Sequence, residues 1–412
     1  MNVAVFHPGT QHSWQTAMAL QGLDRLAWYA TSIFYQPERF PYRLERMVPG
    51  PVSRRLHAEF VRFSHPGLDP AKVRTSGLTE WLERIAARSG QRKLAKYLDT
   101  VGNRRFARAL VKEIQSDDRF ALWGYNGSSL DAFAAAAKHG RRTILDRTIG
   151  DFRYYNDRMA ELQERYGDWF LPTERRMTDE HIARDQQEFE LADTIVVGAE
   201  FAAQTIRDRA GSDVAKKVRV LHYCFDERLF ANQPPPAPVP RNGPVKFLFI
   251  GQANPRKGIH HLLEAFGRLP ASEAQLTVLG DMRVPPSTFA RHAGRIDYIP
   301  TVARSQVPAI MAQHHVLVFP SYFEGSALSL MEGLASGLAL IQTQMSGNGV
   351  TPQTGLMIER PDTELLEAAM VAAFSDRDRL DAWRGAAQAE ARNYTFARYQ
   401  ENIAALLQDA NI

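Results

Sequence analysis

The stretch VLVFPSYFEGSALSLMEGLASG, residues 316–337, runs from four apolar residues through a proline-led turn into a segment with helical spacing of apolar positions, and stops at Ser336-Gly337. An uninterrupted apolar run followed by a turn and an amphipathic helix is the repeating unit of a parallel sheet covered by helices. The turn holds Glu324. With a helix beginning near Ser326, Glu332 falls about two turns inside it, on the side that can face the same ligand. Backbone N–H groups from Gly325 through Ser326 and Ala327 to Leu328, at the positive end of the helix dipole, favour a phosphate. A carboxylate at each edge of that anion site suits hydroxyl groups, because one carboxylate accepts two hydrogen bonds from a vicinal diol. The alternative is a helix with two solvated glutamates.

Upstream, FIGQANPRKGIHHLLEAF at 249–266 has the same order: a strand ending at Gly251, a short loop carrying Arg256 and Lys257, Gly258 at the turn, and a helix with Leu262, Leu263 and Phe266 inward. Two adjacent cations at the head of a helix can clamp a diphosphate; taken alone, the loop reads equally well as a solvated basic turn. It lacks G-x-x-x-x-G-K-[ST], which removes the main support for NTP hydrolysis.

The alternation continues in both directions. KFLFIG, QLTVLG, IDYI and LALIQT are further strands of the C-terminal half, closed by helices from Pro361. VAVF, LAWYA, FALWGY, TIL, TIVV and VRVLHY are those of the N-terminal half, with a long basic helical region after LAWYA. Between the halves, NQPPPAPVPRNGP at 232–244 has six prolines in thirteen residues and can be neither helix nor central strand. The expected architecture is α/β, two Rossmann-like domains with parallel sheets: residues 1–231 with a basic insertion at 39–112, a hinge-like linker at 232–244, residues 245–390, and a closing helix at 391–412 that returns to the first domain.

The 412 residues are too many for one core at about 150 residues per domain. Hydrophobic residues at 44% and charged residues at 23% exclude a disordered, collagen-like or coiled-coil chain. Cys224 is the one cysteine, which rules out an internal disulfide and any multi-cysteine metal site; it reads as a small buried hydrophobe in a reducing compartment. MNVAVFHPG lacks the basic n-region of a signal peptide, and no window approaches the ~18 apolar residues of a membrane helix. The expected location is cytoplasmic, or peripheral on the inner face of the membrane. A net charge of +4 conceals an asymmetry, since residues 39–112 carry 17 Lys and Arg against 6 Asp and Glu, a net +11, while residues 231–412 carry 15 against 16.

Together the two C-terminal segments resemble the retaining GT-B glycosyltransferases of the glycosyltransferase group 1 family. The resemblance rests on Gly251, Lys257-Gly258, Pro320-Ser321, the E-x7-E pair Glu324 and Glu332, and Ser336-Gly337. QLTVLGD and IDYIPTV resemble the strands that wall the donor-base pocket, and GVTPQTGLMIERPDTELL the segment that ends the donor domain. The N-terminal half resembles a subset of the family more loosely, through HPGTQH at 7–12, ILDRTIGD at 144–151, DQQEFELADTIVVGAEF at 185–201 and VRVLHYCFDERLF. Two departures stand out. Many relatives carry a histidine in the stretch matched by 146–151; here Asp146, Arg147, Asp151 or the more distant His12 takes its place. Gln252 replaces an arginine of the family, with Arg256 as the substitute.

The resemblance implies transfer of a sugar, with retained anomeric configuration, from a nucleoside diphosphate sugar to a hydroxyl of a saccharide or lipid-linked acceptor in the cleft between domains, in surface polysaccharide or glycoconjugate synthesis. Lys257 and Arg256 would neutralise the leaving diphosphate with help from the amides of Gly325 to Leu328, Glu324 would hold the donor sugar's hydroxyls, Glu332 the ribose diol, and Val302 would meet the base. Gly9 and Thr10 would bring backbone toward the transferring group. No metal and no cofactor is implied. Asp376-Arg377-Asp378 superficially resembles the Asp-x-Asp metal motif of the other glycosyltransferase fold but lies at a polar helix start, where capping accounts for it. His260-His261 and His314-His315 read as packing or surface residues.

Residues 84–115 hold nine basic side chains against two acidic, with Leu94, Tyr97, Leu98, Val101, Phe106, Leu110 and Ile114 at helical spacing. They read as a helix pair, either lying on an anionic membrane or packed on the N-terminal sheet. Nucleic acid is not an expected partner, because exposed aromatics are not interleaved. The competing readings are a GT-B nucleotide-sugar epimerase, a phosphorylase, and a non-catalytic nucleotide-sugar-binding relative. A NAD-dependent dehydrogenase is disfavoured by the lack of G-x-G-x-x-G after either first strand.

Overall fold

The computed structural model describes residues 1–9, 12–75, 81–83, 86 and 89–412. Thr10, Arg84 and Arg88, and the side chains of Arg92, Lys93, Lys96, Arg104 and Arg105, fall outside the described residues.

Two parallel sheets form where the apolar runs predict them. The first contains β1 (Asn2–Phe6), β2 (Leu26–Thr31), β3 (Val73–Thr75), β4 (Phe120–Tyr125), β5 (Thr143–Arg147), β6 (Thr194–Val197) and β7 (Val218–Val220), in the order β3-β2-β1-β4-β5-β6-β7. The second contains β8 (Val245–Ile250), β9 (Ala274–Leu279), β10 (Ile296–Ile299), β11 (Val316–Phe319), β12 (Ala339–Thr343) and β13 (Gly355–Ile358), in the order β10-β9-β8-β11-β12-β13. Central strands such as β4 and β11 are buried at every residue, which is why they read as uninterrupted apolar runs. In each sheet the strand order reverses beside the first strand, between β1 and β4 and again between β8 and β11. Loops leaving two such strands diverge to opposite faces and open a crevice at the carboxyl ends.

The chain divides into two compact units, one of Met1–Asp146, Ala183–Val196 and Gln400–Ile412, the other of Arg147–Ile182 and Val197–Tyr399. In the second, Phe247, Phe249, Val278 and Val316 pack against Leu262, Leu263 and Phe266 of the helix Ile259–Arg268.

Several local expectations are corrected. The helix after Glu324 spans Leu328–Ala335, not from Ser326, because Ala327 is extended and its N–H donates to the Ser346 carbonyl at 3.1 Å. Glu332 is therefore about one turn inside rather than two. That bond also satisfies one of the amides assigned to the anion cradle. Residues 92–114 form one helix whose apolar positions are divided: Phe106, Leu110 and Ile114 are buried while Leu94 and Tyr97 are exposed; the first helix of the expected pair falls largely outside the described residues. Strand β13 escaped the sequence reading, being four residues long, only half buried and opened by a glycine whose Cβ would lie 1.9 Å from the Leu340 carbonyl. Asp376 caps the helix Arg377–Ala391 by accepting from the Arg379 N–H.

His260, His261, His314 and His315 are packing residues, and several buried rings carry a pH signature. Burial lowers the His261 ring to about 4 and the His315 ring to about 4, and takes His260 well below its ordinary value. In the other unit burial likewise lowers His7 to about 4. The unfolded chain binds protons at these rings below about 6.5 while the folded chain does not, so stability rises with pH between about 4 and 6.5 and is lost on acidification. Going from pH 7 to pH 5 should cost about 2 kcal/mol per ring and lower Tm by on the order of 10 °C in total. A Tm flat over that interval would contradict the burial of these rings as neutral groups.

Candidate active site

The loops after β8 and β11 meet at the carboxyl end of the second sheet. Asn254 caps the 3-10 turn Pro255–Lys257, its Oδ1 accepting from the Lys257 N–H at 3.0 Å. Gly258 then reverses the chain at φ 68°, and a Cβ there would lie 2.1 Å from the Pro320 carbonyl, so glycine is required both for the backbone conformation and for the approach of the two loops. Across the junction the Tyr322 N–H donates to the Arg256 carbonyl at 2.8 Å. The Tyr322 hydroxyl lies 2.7 Å from His261 Nε2, and the other ring nitrogen of His261 lies 2.8 Å from Thr363 Oγ1.

This frame brings Arg256, Lys257 and Glu324 together. Arg256 Nη1 donates to Glu324 Oε1 at 2.8 Å, Lys257 Nζ lies 3.1 Å from the same oxygen, and Ser321 Oγ donates to it at 2.9 Å. Arg256 also donates to the Phe323 carbonyl, and the Lys257 ammonium sits 4.5 Å over the Phe319 ring. Burial pushes the Glu324 carboxyl up, but Arg256, then Lys257 and the bonds from Lys257 and Ser321, outweigh it and hold the group below the usual carboxylate range. Burial lowers the Lys257 ammonium, Glu324 opposing and Arg256 adding to the shift. Two cations and one anion thus share a poorly solvated pocket with one positive charge in excess, an arrangement suited to a polyanion.

Around this cluster, the Ser326 hydroxyl is buried without a hydrogen-bond partner. Gly325 admits no side chain, since a Cβ would lie 1.8 Å from the Thr148 carbonyl. Glu332, on the helix Leu328–Ala335, pairs with Arg304 at 2.6 Å; burial raises its carboxyl above the usual range despite that partner. Val302, two residues before Arg304, packs against the apolar cluster containing Leu330 and Leu334. Gly251 leaves β8 at φ 135°, its carbonyl in close approach to Gly280.

A second cluster lies at the carboxyl end of the first sheet. His12 Nε2 is 3.3 Å from Asp146 Oδ2, and Trp123 Nε1 donates to that oxygen at 3.3 Å. Asp146 is wholly buried, while His12 stands at the head of the helix Ser13–Gly22 with its ring edge-on to Tyr125. The Gly9 N–H donates to His7 Nδ1 at 3.0 Å. Asp151 is elsewhere: it caps the helix Phe152–Arg165, and both its oxygens receive the Arg153 guanidinium, at 2.9 and 2.6 Å. Arg147 is buried with its guanidinium on the Ile149 and Gly150 carbonyls.

Several residues had no assigned role in the sequence, Trp123 beside Asp146 among them. Ser321 stood in the Pro-Ser pattern without a function, Arg304 had no signal beyond its nearness to Val302, and Asn348, 2.7 Å from His222 Nδ1, had none.

Comparison with known proteins finds relatives of the C-terminal half and structural neighbours of the whole chain. Residues 244–376 match the family described as "Glycosyl transferases group 1". Among curated proteins, the chain is 26% identical over 186 residues to the glycogen synthase of Mycobacterium tuberculosis, covering 39% of this chain and 45% of that one. It is also 26% identical over 152 residues to the O-antigen chain mannosyltransferase B of Escherichia coli, covering 34% and 39%. The chain thus spans less than half the length of these curated relatives. Among solved structures, Anabaena HepE in complex with UDP superposes with a TM-score of 0.60 at 12% identity, covering 99% of this chain and 100% of that one. Sucrose-phosphate synthase from Thermosynechococcus elongatus gives a TM-score of 0.62 at 14% identity, covering 99% and 98%. The fold is GT-B, two Rossmann-like α/β domains with parallel sheets.

Proposed function

We propose that this chain is a retaining glycosyltransferase that moves a sugar from a nucleoside diphosphate sugar to a hydroxyl of a saccharide or lipid-linked acceptor, in surface polysaccharide or glycoconjugate synthesis. The observation that carries the reading is the convergence of Arg256, Lys257 and Glu324 at the strand-order reversal of the second sheet. A leaving diphosphate gains negative charge as the glycosidic bond breaks, and two fixed cations in a poorly solvated pocket stabilise that charge without reorganising. They carry the part a divalent ion plays in metal-assisted transfer, so turnover is expected to survive EDTA. Glu324 keeps the cations in place while the site is free and, with donor bound, accepts from the sugar's hydroxyls. The unpartnered Ser326 hydroxyl and the backbone at Gly325 would add donors to the diphosphate. His12 and Asp146, which no sequence spacing joins, are the candidates for orienting the acceptor hydroxyl. The donor class is also that of a structural neighbour: Anabaena HepE was crystallised with UDP and, separately, with UDP-glucose.

Incubation with a panel of UDP-, GDP- and ADP-sugars should give slow hydrolysis of one donor class, releasing a sugar of the donor's own anomeric configuration by NMR. An absence of both turnover and binding with every donor rejects the transferase reading, and inverted product rejects retention. Glu332 is assigned to the ribose, a contact made equally in ground and transition states. Glu332→Ala should therefore raise donor KM about tenfold and leave kcat within about a factor of three. A fall in kcat with KM unchanged would remove Glu332 from the ribose.

A further inference from the structure

We propose that residues 39–61 form a docking surface for an anionic lipid bilayer. Among the described residues, eight of the eleven exposed large apolar side chains fall between positions 40 and 97. The most concentrated group is Phe40 (65% exposed), Leu44 and Met47 (77%), around the 3-10 helix Tyr42–Arg46, joined by Val52 and Val61 on the helix Gly50–Phe60 and at its end. The inner sides of these two helices are already engaged: Tyr42 and Phe60 pack with Ile33, Phe63 and Trp81 in a small core. What remains outward is apolar and strongly basic.

Arg39, Arg43, Arg46, Arg54 and Arg55 are all exposed. Of the two acids within the segment, Glu59 is half-buried and engaged, and Glu45 is turned inward, accepting from the Tyr35 hydroxyl at 2.6 Å and lying 3.2 Å from His57 Nδ1. Glu38 pairs with Arg46 at 2.9 Å. Charge complementarity selects the occupant. A second copy docked through a twofold axis would set the arginine cluster against its own image. An anionic bilayer supplies both layers the surface needs, phosphates for the guanidinium groups and an acyl boundary for Phe40, Leu44 and Met47.

The placement differs from residues 84–115, which the sequence offers as one candidate for membrane contact and whose C-terminal apolar positions Phe106, Leu110 and Ile114 are buried. The inference is independent of the donor site.

Flotation of the full chain with vesicles tests it. The protein should float with phosphatidylcholine vesicles containing phosphatidylglycerol at low salt, remain behind with phosphatidylcholine alone, and be released by high salt. Arg43→Glu/Arg54→Glu/Arg55→Glu should lower the partition coefficient by on the order of a hundredfold with Tm unchanged. Should charge reversal unfold the segment, the Arg43→Gln/Arg54→Gln/Arg55→Gln chain carries the same test with a smaller loss. Phe40→Ser/Met47→Ser should weaken binding about tenfold. No flotation with anionic vesicles, equal binding to neutral ones, or full binding by the folded charge variants overturns the proposal. So does a dimer that the same substitutions convert to monomer, since the face is then a contact between copies.

Discussion

Replacing Lys257 by alanine should lower donor turnover about a thousandfold, with donor KM changed far less. The ammonium is held where it has one use. Asn254 and Gly258 fix the loop that carries it, Phe319 lies 4.5 Å beneath it, and Glu324 Oε1 is 3.1 Å away. Burial lowers its proton affinity while Glu324 opposes the shift, and a bound diphosphate would oppose it further. A charge this poorly solvated acts on developing phosphate charge with little screening, and its loss is felt mainly as the bond breaks. Lys257→Arg should restore little, because a planar guanidinium has neither the size nor the point geometry of the ammonium between Phe319 and Glu324. Single-turnover rates with saturating donor, beside Tm, measure this. A kcat within about threefold of the unmodified chain, at unchanged Tm, would remove Lys257 from the reaction.

Much of the fold is legible in the sequence because the strands are buried on both faces. VAVF, FALWGY, KFLFIG and VLVF need no partner to be recognised. Where burial is one-sided the pattern fades: β13 has two exposed or half-exposed residues in four, and the run from Leu94 to Ile114 mixes solvent-facing with sheet-facing positions. The loop cations and Glu324 were visible as separate features, but their convergence on one oxygen depends on the pairing of β8 with β11, which local spacing does not encode. The same holds more strongly for His12 and Asp146, which are 134 positions apart and meet because β1 and β5 both flank β4. The late start of the helix before Glu332 turns on the carbonyl of Ser346, which binds the Ala327 N–H from far downstream and which no capping rule applied to residues 324–328 could supply.

Glu324→Ala should be the most damaging single change, abolishing turnover and costing about 3–5 kcal/mol of stability. Removing the carboxylate leaves Arg256 and Lys257 facing each other in a pocket that burial already makes unfavourable for charge, and leaves the Ser321 hydroxyl without its acceptor. The loss depends on pH in a definite direction. Because the folded carboxyl titrates below the ordinary value, its contribution is complete above the unfolded pKa of about 4.3 and disappears as pH falls through the folded value. The alanine chain should therefore differ most from the parent at neutral pH and least in acid. Glu324→Gln retains one acceptor for three donors but not the compensating charge, so it should recover part of the stability and little of the turnover. Glu324→Ala/Lys257→Met separates the two roles. Deleting one buried cation together with its anion should return most of the lost Tm, while donor hydrolysis should stay absent because the charge that stabilises the leaving group is gone. Turnover returning together with Tm would instead make Glu324 and Lys257 a structural pair and place the reaction elsewhere in the fold.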